Sequence, residues 1–211
     1  GLELTKLALK NGHQVTAIAR DSKKSNSLQE LIRTHSEKLQ IIDADLADPI
    51  AAFTKIKNEL DGVTLDGVIN NAGIMRQNDS LEELLESFKI NSCVPFLLTQ
   101  ELLPFLKKSK SPKVAHMSSL MGSIQDNSSG GYYSYRASKA ALNMLNKSLA
   151  IDHPWLTAVV FHPGWVKTDM GGAQAPLQAE ESAQGLWRVF TELTTNESGR
   201  FFDYTGKELP W

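Results

Sequence analysis

The sequence Tyr135-Arg136-Ala137-Ser138-Lys139 says more about this chain than any other stretch of it. A tyrosine and a lysine four residues apart in a helix lie one turn from each other on the same face. An ammonium group beside a phenol favours the ionised phenol and lowers its pKa. Such a pair suits proton transfer to a carbonyl oxygen, and the apolar run that follows it predicts that both residues open a helix.

Two serines stand upstream of this pair, at the end of a predicted strand. Val114 to Met117 has the composition of a short buried strand, and Ser118-Ser119 follows it directly. In open α/β sheets, ligands bind at the carboxyl ends of the strands. The sequence therefore predicts that the serines lie at a ligand-binding edge.

Apolar segments of two kinds alternate along the chain. Short segments rich in β-branched residues predict strands at Val15–Ala19, Leu39–Ile42, Leu65–Ile69, Val114–Met117 and Thr157–Phe161. Longer helical patterns lie at Leu2–Asn11, Leu28–His35, Pro49–Leu60, Ser80–Lys108, Tyr135–Asp152 and Glu180–Leu193. This alternation predicts an α/β fold with a doubly wound, Rossmann-type parallel sheet in three layers. The length of 211 residues suits a single domain, residues 1–211.

Composition argues against several classes of protein. The net charge of −2 gives no sign of nucleic-acid binding, and no apolar stretch approaches the roughly 20 residues of a membrane span. Cys93 is the only cysteine, so no internal disulfide can form, which favours a reducing, cytoplasmic setting. The five histidines are dispersed without metal-ligand spacing, and we predict no metal.

Several motifs in the expected order resemble the short-chain dehydrogenase/reductases. They are Asn70-Asn71-Ala72-Gly73, Ser118 to Ile124, Gly130 to Tyr135, Pro163-Gly164 and Gly199 to Tyr204. Within that family the chain is most similar to carbonyl reductases of the sniffer and C-factor kind. The family's domain starts with a strand and a glycine-rich turn, which the chain lacks before its first helix. We therefore expect a domain truncated by about one strand and a turn, with Gly1 as the last glycine of that turn.

The resemblance implies a catalytic tetrad. Tyr135 would protonate the carbonyl oxygen, and Lys139 would lower the pKa of Tyr135 and bind the nicotinamide ribose. Ser119 would hold the substrate oxygen, with Ser118 as the alternative. Asn91 would complete the set through a water molecule near the lysine. For Asn91 taken alone, a satisfied polar group inside the sheet domain remains the alternative.

The resemblance also implies a nicotinamide cofactor. The residues it places against the cofactor are Gly1, Arg20, Asp45, Leu46, Asn71, Ala72, Gly73, Tyr135, Lys139, Pro163, Gly164, Val166 and Thr168. Asp45 would read the adenine amine, and Thr168 would meet the nicotinamide amide. Ala19 occupies the position at which an NAD enzyme usually carries an acid, and Arg20 follows it. A guanidinium suits a 2′-phosphate, so NADP(H) is favoured over NAD(H), although Asp21 next to it argues the other way.

The substrate is defined only as a class. Residues 165–178 have the composition of a small lid over the nicotinamide. Met121, Tyr132 and Trp165 are candidate apolar walls of the substrate pocket. These apolar side chains favour an aldehyde or ketone with apolar substituents as the small-molecule substrate.

Two functional readings from different classes stay open. The first is an NADP-dependent carbonyl reductase, supported by the complete set of tetrad residues. The second is a non-catalytic signalling or interaction protein of the same fold, or an inactive truncated relic, which the missing strand and turn would favour. The apolar segment Val94–Leu98 could face the sheet or contribute to a homodimer or homotetramer.

Overall fold

The fold was determined as a computed structural model, which describes residues 1–76 and 78–211. The chain divides into two compact units, Gly1–Val63 and Thr64–Trp211. Each unit alternates strands with helices. The α/β architecture with parallel strands that the sequence predicts is confirmed.

The first unit has two strands and three helices. In chain order they are α1 (Leu2–Lys10), β1 (Val15–Ala19), α2 (Asn26–Thr34), β2 (Leu39–Asp43) and α3 (Pro49–Glu59). The two strands are parallel, with Val15 opposite Leu39 and Ala19 opposite Asp43. All five residues of β1 are half-buried. Leu9, Leu31 and Leu39 form the buried cluster that joins α1 and α2 to β2.

The second unit contains a four-stranded parallel sheet in the order β3-β4-β5-β6. Its strands are β3 (Gly67–Asn70), β4 (Lys113–Met117), β5 (Thr157–His162) and β6 (Phe201–Asp203). In β5, residues 157–161 are fully buried, as expected for a parallel strand covered on both faces. The parallel arrangement brings the carboxyl ends of β3, β4 and β5 to one edge of the sheet.

The described residues of the second unit form four α-helices. They are α4 (Leu81–Phe88), α5 (Val94–Leu106), α6 (Tyr133–Asp152) and α7 (Ala179–Glu192). Val94, Pro95 and Leu98 are buried inside the chain, which places the apolar middle of the predicted Ser80–Lys108 segment in the core, with Leu97 left 46% exposed.

The helix predicted over Ser80–Lys108 is present as one uninterrupted helical segment, residues 81–106. It is not a regular α-helix throughout, because a π-helical turn at Lys89–Cys93 lies between α4 and α5. Pro95, just after this turn, has no N–H to donate to the carbonyl of Asn91 four residues earlier, so one α-helical hydrogen bond is missing there. The apolar periodicity of the sequence gives no indication of this single π-helical turn.

The other differences lie at element ends. All five predicted strands are present, and β6 is an additional strand of three residues, too short to stand out in the sequence. Helix α6 begins at Tyr133, two residues before the predicted start. Tyr132, just before it, adopts a left-handed backbone with φ of 51°. The parallel sheets with intervening helices form a Rossmann-type fold.

Candidate active site

Helix α6 carries the predicted tyrosine and lysine in its first two turns. Tyr135 and Lys139 are buried, with 8% and 4% of their surfaces exposed. The Lys139 ammonium lies 5.6 Å from the centre of the Tyr135 ring and donates a hydrogen bond of 2.8 Å to the carbonyl of Met117 at the end of β4. The helix spacing and this backbone contact together fix the ammonium beside the tyrosine.

The electrostatics of the pair differ from the sequence-based expectation. Burial raises the pKa of the Tyr135 hydroxyl, and a hydrogen bond with Ser119 partly opposes that rise. Burial also lowers the pKa of Lys139 to about 8. The expected lowering of the tyrosine pKa by the lysine is therefore wrong for this state of the chain. The ionised phenol loses its hydration in the core, and this cost outweighs the lowering of the pKa by Ser119.

Asn91 occupies the centre of the π-helical turn, and its carboxamide is fully bonded. Its Oδ1 accepts from the backbone N–H of Ile74 at 2.8 Å, and its Nδ2 donates to the Ile74 carbonyl at 2.8 Å. The same Nδ2 donates to Ser138 Oγ on α6 at 3.0 Å. The wider turn lets one side chain hold both the segment after β3 and the helix that carries Tyr135.

Gly73 lies where these groups meet. A Cβ added to Gly73 would come within 3.2 Å of Asn91 Oδ1 and 3.4 Å of Lys139 Nζ. The predicted cofactor segment at 71–73 therefore runs directly past the asparagine and the lysine. Asn71 and Ala72 are exposed at this point.

The two serines after β4 have different partners. Ser118 Oγ donates a 2.6 Å hydrogen bond to Asn143 Oδ1 in the core. Ser119 Oγ accepts from the backbone N–H of Met121 at 3.2 Å, and the Ser119 side chain lowers the pKa of the Tyr135 hydroxyl. Both serines are buried, but Ser118 is bonded to Asn143 in the core, whereas Ser119 affects the pKa of the tyrosine hydroxyl. This difference favours Ser119 over Ser118 as the candidate catalytic serine.

The segment that follows β5 folds back on itself. Val166 forms a parallel bridge with Leu177, and the indole N–H of Trp165 donates to the Gly171 carbonyl at 2.8 Å. Thr168 Oγ1 accepts from the Gly171 N–H at 3.1 Å. These contacts give the predicted lid, residues 165–178, a defined base.

The remaining predicted residues of this segment lie at its start. Pro163 offers its carbonyl to Ser182 Oγ at 2.6 Å. Gly164 has a φ of +86°, and a Cβ there would lie 2.7 Å from Leu177. Only glycine combines this backbone conformation with such a close approach.

The candidate pocket walls are partly open to solvent. Trp165 and Tyr132 are 58% and 53% exposed, and Met121 is half-buried. The guanidinium of Arg136 donates to the carbonyls of Gly130 and Met121 at 3.2 and 3.3 Å, which ties the loop before α6 to the turn after β4.

Four of the predicted cofactor residues belong to the first unit. Gly1 precedes α1, Asp45 and Leu46 follow β2, and Arg20 follows β1. The Asp45 carboxylate accepts from the backbone N–H of Ala47 at 3.0 Å. Arg20 is exposed and forms no ion pair with any residue in the ranges 1–76 and 78–211.

Asp21, which argued against a phosphate site, is occupied by its own neighbours. Its carboxylate accepts from the backbone N–H of Lys23 at 3.2 Å and pairs with the Lys24 ammonium at 3.0 Å. These contacts lower the pKa of the Asp21 carboxyl, the hydrogen bond with Lys24 most of all. The negative charge beside Arg20 is thus partly neutralised.

Sequence reasoning missed the buried polar groups that support the tetrad. Ser138 Oγ donates to the Tyr135 carbonyl at 2.8 Å, and Ser92 Oγ donates to the Ser138 carbonyl at 2.6 Å. Asn143 binds Ser118, as described above. Ser134, Ser138, Asn143 and Asn146 are all buried polar residues of α6, and buried polar groups require hydrogen-bond partners.

Two kinds of feature are absent from the described residues. No group of three or more acidic, histidine or cysteine side chains in residues 1–76 and 78–211 is arranged to hold a metal ion. Among those same residues, no helix combines the length and apolar character needed to cross a bilayer.

Comparison with known proteins gives consistent matches. Residues 1–178 match the family described as short chain dehydrogenase. A protein of Myxococcus xanthus named C-signal is 44% identical over 154 residues, which are 70% of this chain and 93% of that protein. The solved structure of the carbonyl reductase Sniffer of D. melanogaster has a TM-score of 0.91 and 33% identity, and the match covers 100% of this chain and 94% of that one. An NADPH-bound carbonyl reductase from chicken fatty liver has a TM-score of 0.90 and 35% identity, with the same coverage.

Proposed function

Since this chain belongs to the short-chain dehydrogenase family, we propose that it is an oxidoreductase that transfers a hydride from NADPH to the carbonyl of an aldehyde or ketone. The observation that carries the proposal is the burial of Asn91, Ser119, Tyr135 and Lys139 in one hydrogen-bonded region of the second unit. Acid–base chemistry requires groups that are held in place and shielded from bulk water.

Each side chain has a role that follows from its contacts. Tyr135 keeps its proton because burial raises its pKa, so it is present as the acid that protonates the carbonyl oxygen. Ser119 lowers the pKa of the same hydroxyl and orients the substrate oxygen toward it. Lys139 approaches the tyrosine ring and supplies positive charge that stabilises the phenolate left after proton transfer. Asn91 holds the segment at 73–74 against α6.

The residues of the second unit fit a nicotinamide nucleoside. The close approach of Gly73 to Lys139 leaves no side chain between the backbone and the ammonium. Lys139 donates one hydrogen bond to Met117, and an ammonium carries three donors, so donors remain for ribose hydroxyls. We assign Asn71, Ala72, Gly73, Pro163, Gly164, Val166 and Thr168 to the same group of contacts.

In the first unit, the phosphate preference is proposed to lie with Arg20. It is an exposed guanidinium with no carboxylate partner among the described residues, and the acid next to it is held by Lys24. A guanidinium binds a phosphate with paired hydrogen bonds, which supports NADP(H) over NAD(H). We also propose Gly1, Asp45 and Leu46 as cofactor contacts.

The substrate is proposed to be a carbonyl compound with apolar substituents. Met121, Tyr132 and Trp165 present apolar and aromatic surface without a charged group among them.

We place the protein in the cytoplasm, in keeping with its single cysteine. A homodimer is supported by the exposed apolar row of Leu81, Leu85 and Phe88, at 73%, 60% and 45% exposure, on one side of α4.

The proposal is tested with two tyrosine variants in the first turn of α6, at positions 135 and 133. Tyr135→Phe removes the acid and should lower kcat by about a thousandfold, while the Kd for NADPH changes less than about twofold. Tyr133→Phe removes a hydroxyl from a neighbouring tyrosine that is 66% exposed, and it should leave kcat unchanged. The assay is NADPH oxidation with a panel of aldehydes and ketones. Turnover that survives in Tyr135→Phe would remove this residue from the mechanism.

A second candidate function follows from one relative. The name of the Myxococcus xanthus relative, C-signal, denotes a signal, which supports a signalling or interaction protein of the same fold. If no carbonyl compound in the panel is reduced by the wild type while NADPH binds, the non-catalytic function is favoured. If neither turnover nor NADPH binding is found, an inactive relic remains.

A further inference from the structure

The turn that carries Ser119 is held on both sides by one carboxamide. Asn143 Oδ1 accepts the 2.6 Å hydrogen bond from Ser118 Oγ, just before the turn. Asn143 Nδ2 donates to the Gly122 carbonyl at 3.3 Å, at the end of the turn. A single side chain of α6 therefore fixes the chain before and after Ser119.

This contact lies in the core and leaves the turn little freedom. Ser118 and Asn143 are 3% and 4% exposed, and Gly122 is also buried. A Cβ at Gly122 would lie 2.8 Å from the Cβ of Lys139 and 2.9 Å from its carbonyl carbon. The turn is thus packed directly against the helix at Lys139, one helical turn from Asn143.

The direction of the Ser119 hydroxyl depends on this turn. Ser119 lies between the two points that Asn143 holds, and its Oγ accepts from the Met121 N–H within the same turn. If the turn shifted on α6, Ser119 would move relative to Tyr135, which is carried by α6 itself. A displacement of about 1 Å in such a pair is costly for catalysis.

We propose that Asn143 is a positioning residue that holds Ser119 against Tyr135 through its bonds to Ser118 and Gly122. The proposal rests on the proposed reductase function, in which Ser119 and Tyr135 act on the substrate oxygen. It also assigns a role to Ser118, whose hydroxyl supports the turn from the core and does not face the substrate.

Asn146 provides a matched comparison on the same helix. It is fully buried, and its Nδ2 donates to the Ala158 carbonyl at 3.3 Å, away from the serine turn. Loss of either asparagine removes a buried amide from α6. Only loss of Asn143 should act through Ser119.

The test is a double-mutant cycle between Asn143→Ala and Ser119→Ala. The measured quantities are kcat and KM, with NADPH and an aldehyde that the wild type reduces. We expect Asn143→Ala to lower kcat about tenfold in the wild type and less than about twofold in Ser119→Ala, because the serine it positions is already absent. The KM for NADPH should stay unchanged. Asn146→Ala should leave kcat unchanged in both backgrounds.

Equal losses in the two backgrounds, or no loss in either, would overturn the proposal. If Asn143→Ala does not yield folded protein, Ser118→Ala takes its place in the cycle, since it removes one of the two contacts with a smaller change in volume. It should show the same non-additivity with a smaller loss of kcat, about threefold.

A structural readout separates this proposal from the proposed function. Crystal structures of the wild type, Asn143→Ala and Ser118→Ala should show a longer distance between the Ser119 and Tyr135 hydroxyls in both variants than in the wild type. If the wild type reduces no carbonyl compound but the serine shifts in the variants, the proposed function fails and the positioning role stands. If the distance between the Ser119 and Tyr135 hydroxyls is unchanged in both variants, the positioning role fails, whatever the activity.

Discussion

Strand β5 of the second unit and strand β1 of the first unit differ in burial and in strand pairing. Residues 157–161 of β5 are fully buried, and β5 pairs with strands on both sides. Every residue of β1 is half-buried, and within the described residues β1 pairs with β2 alone. The second unit holds the candidate tetrad in its core, whereas Arg20 at the end of β1 is exposed.

The difference matches the two kinds of chemistry that we propose. Proton transfer depends on the protonation states and positions of a few groups, and burial controls both of them. Phosphate recognition depends on charge and on hydrogen-bond donors, which can act from an exposed side chain such as Arg20. The comparison makes predictions that differ between the two units.

The largest expected contrast is in hydrogen exchange. Backbone amides of β5 should exchange only by global unfolding, and those of β1 by local opening, so protection should differ by at least about a thousandfold. Amide exchange followed by NMR or mass spectrometry measures this directly. Equal protection in the two strands would mean that both units open together and would remove the contrast.

A smaller effect is expected when the buried cation is removed. The pKa of Lys139 is lowered to about 8, so the folded chain bears the cost of burying its charge below pH 8. Lys139→Met should therefore stabilise the fold at pH 7 by about 2 kcal/mol, after the loss of the hydrogen bond to Met117 is subtracted. Thermal or urea unfolding gives this number, and activity should be lost at the same time.

The pH dependence of that gain has a definite sign. The unfolded lysine keeps its ordinary pKa of 10.5, so wild-type stability from this group rises between pH 8 and 10.5. The advantage of Lys139→Met should be full below pH 8 and disappear toward pH 10.5. Lys147→Met, an exposed lysine of the same helix, serves as the control and should show no such gain. A gain that is independent of pH would exclude charge burial as its cause.

The smallest expected effect concerns the exposed Arg20 of the first unit. Arg20→Ala should raise the Kd for NADPH about tenfold, since a charge-assisted contact is lost, and should change the Kd for NADH less than about twofold. Arg33→Ala removes the same charge from the same unit, but Arg33 is already paired with Glu30 at 2.7 Å. It should leave both values unchanged. Equal weakening of NADPH and NADH by Arg20→Ala would show that Arg20 does not read the phosphate.

Much of the fold could be predicted because local patterns decide it. Apolar β-branched segments such as Thr157–Phe161 form strands wherever helices cover both faces of a sheet, and the sequence shows this directly. The π-helical turn at Asn91 could not be predicted. Its central residue, Asn91, contacts Ile74, 17 residues away, and no local pattern in the sequence shows such a contact.

The candidate site was predictable as a set of residues but not as an electrostatic environment. The spacing of Tyr135 and Lys139 follows from helix geometry alone, which is why the sequence placed them together. The direction of their pKa shifts depends on how much water the surrounding chain excludes. No local pattern contains that information, and the expectation for Tyr135 was wrong for this reason.

By itself, the sequence determined the order of strands and helices, the pairing of Tyr135 with Lys139 on one helix face, and the placement of the serines at a strand end, because each of these depends on neighbours within a few residues. The tertiary structure decided which serine meets the tyrosine, because Ser118 reaches Asn143, 25 residues away, while Ser119 meets Tyr135. It also decided the protonation of the buried pair, since desolvation is a property of the packed core as a whole.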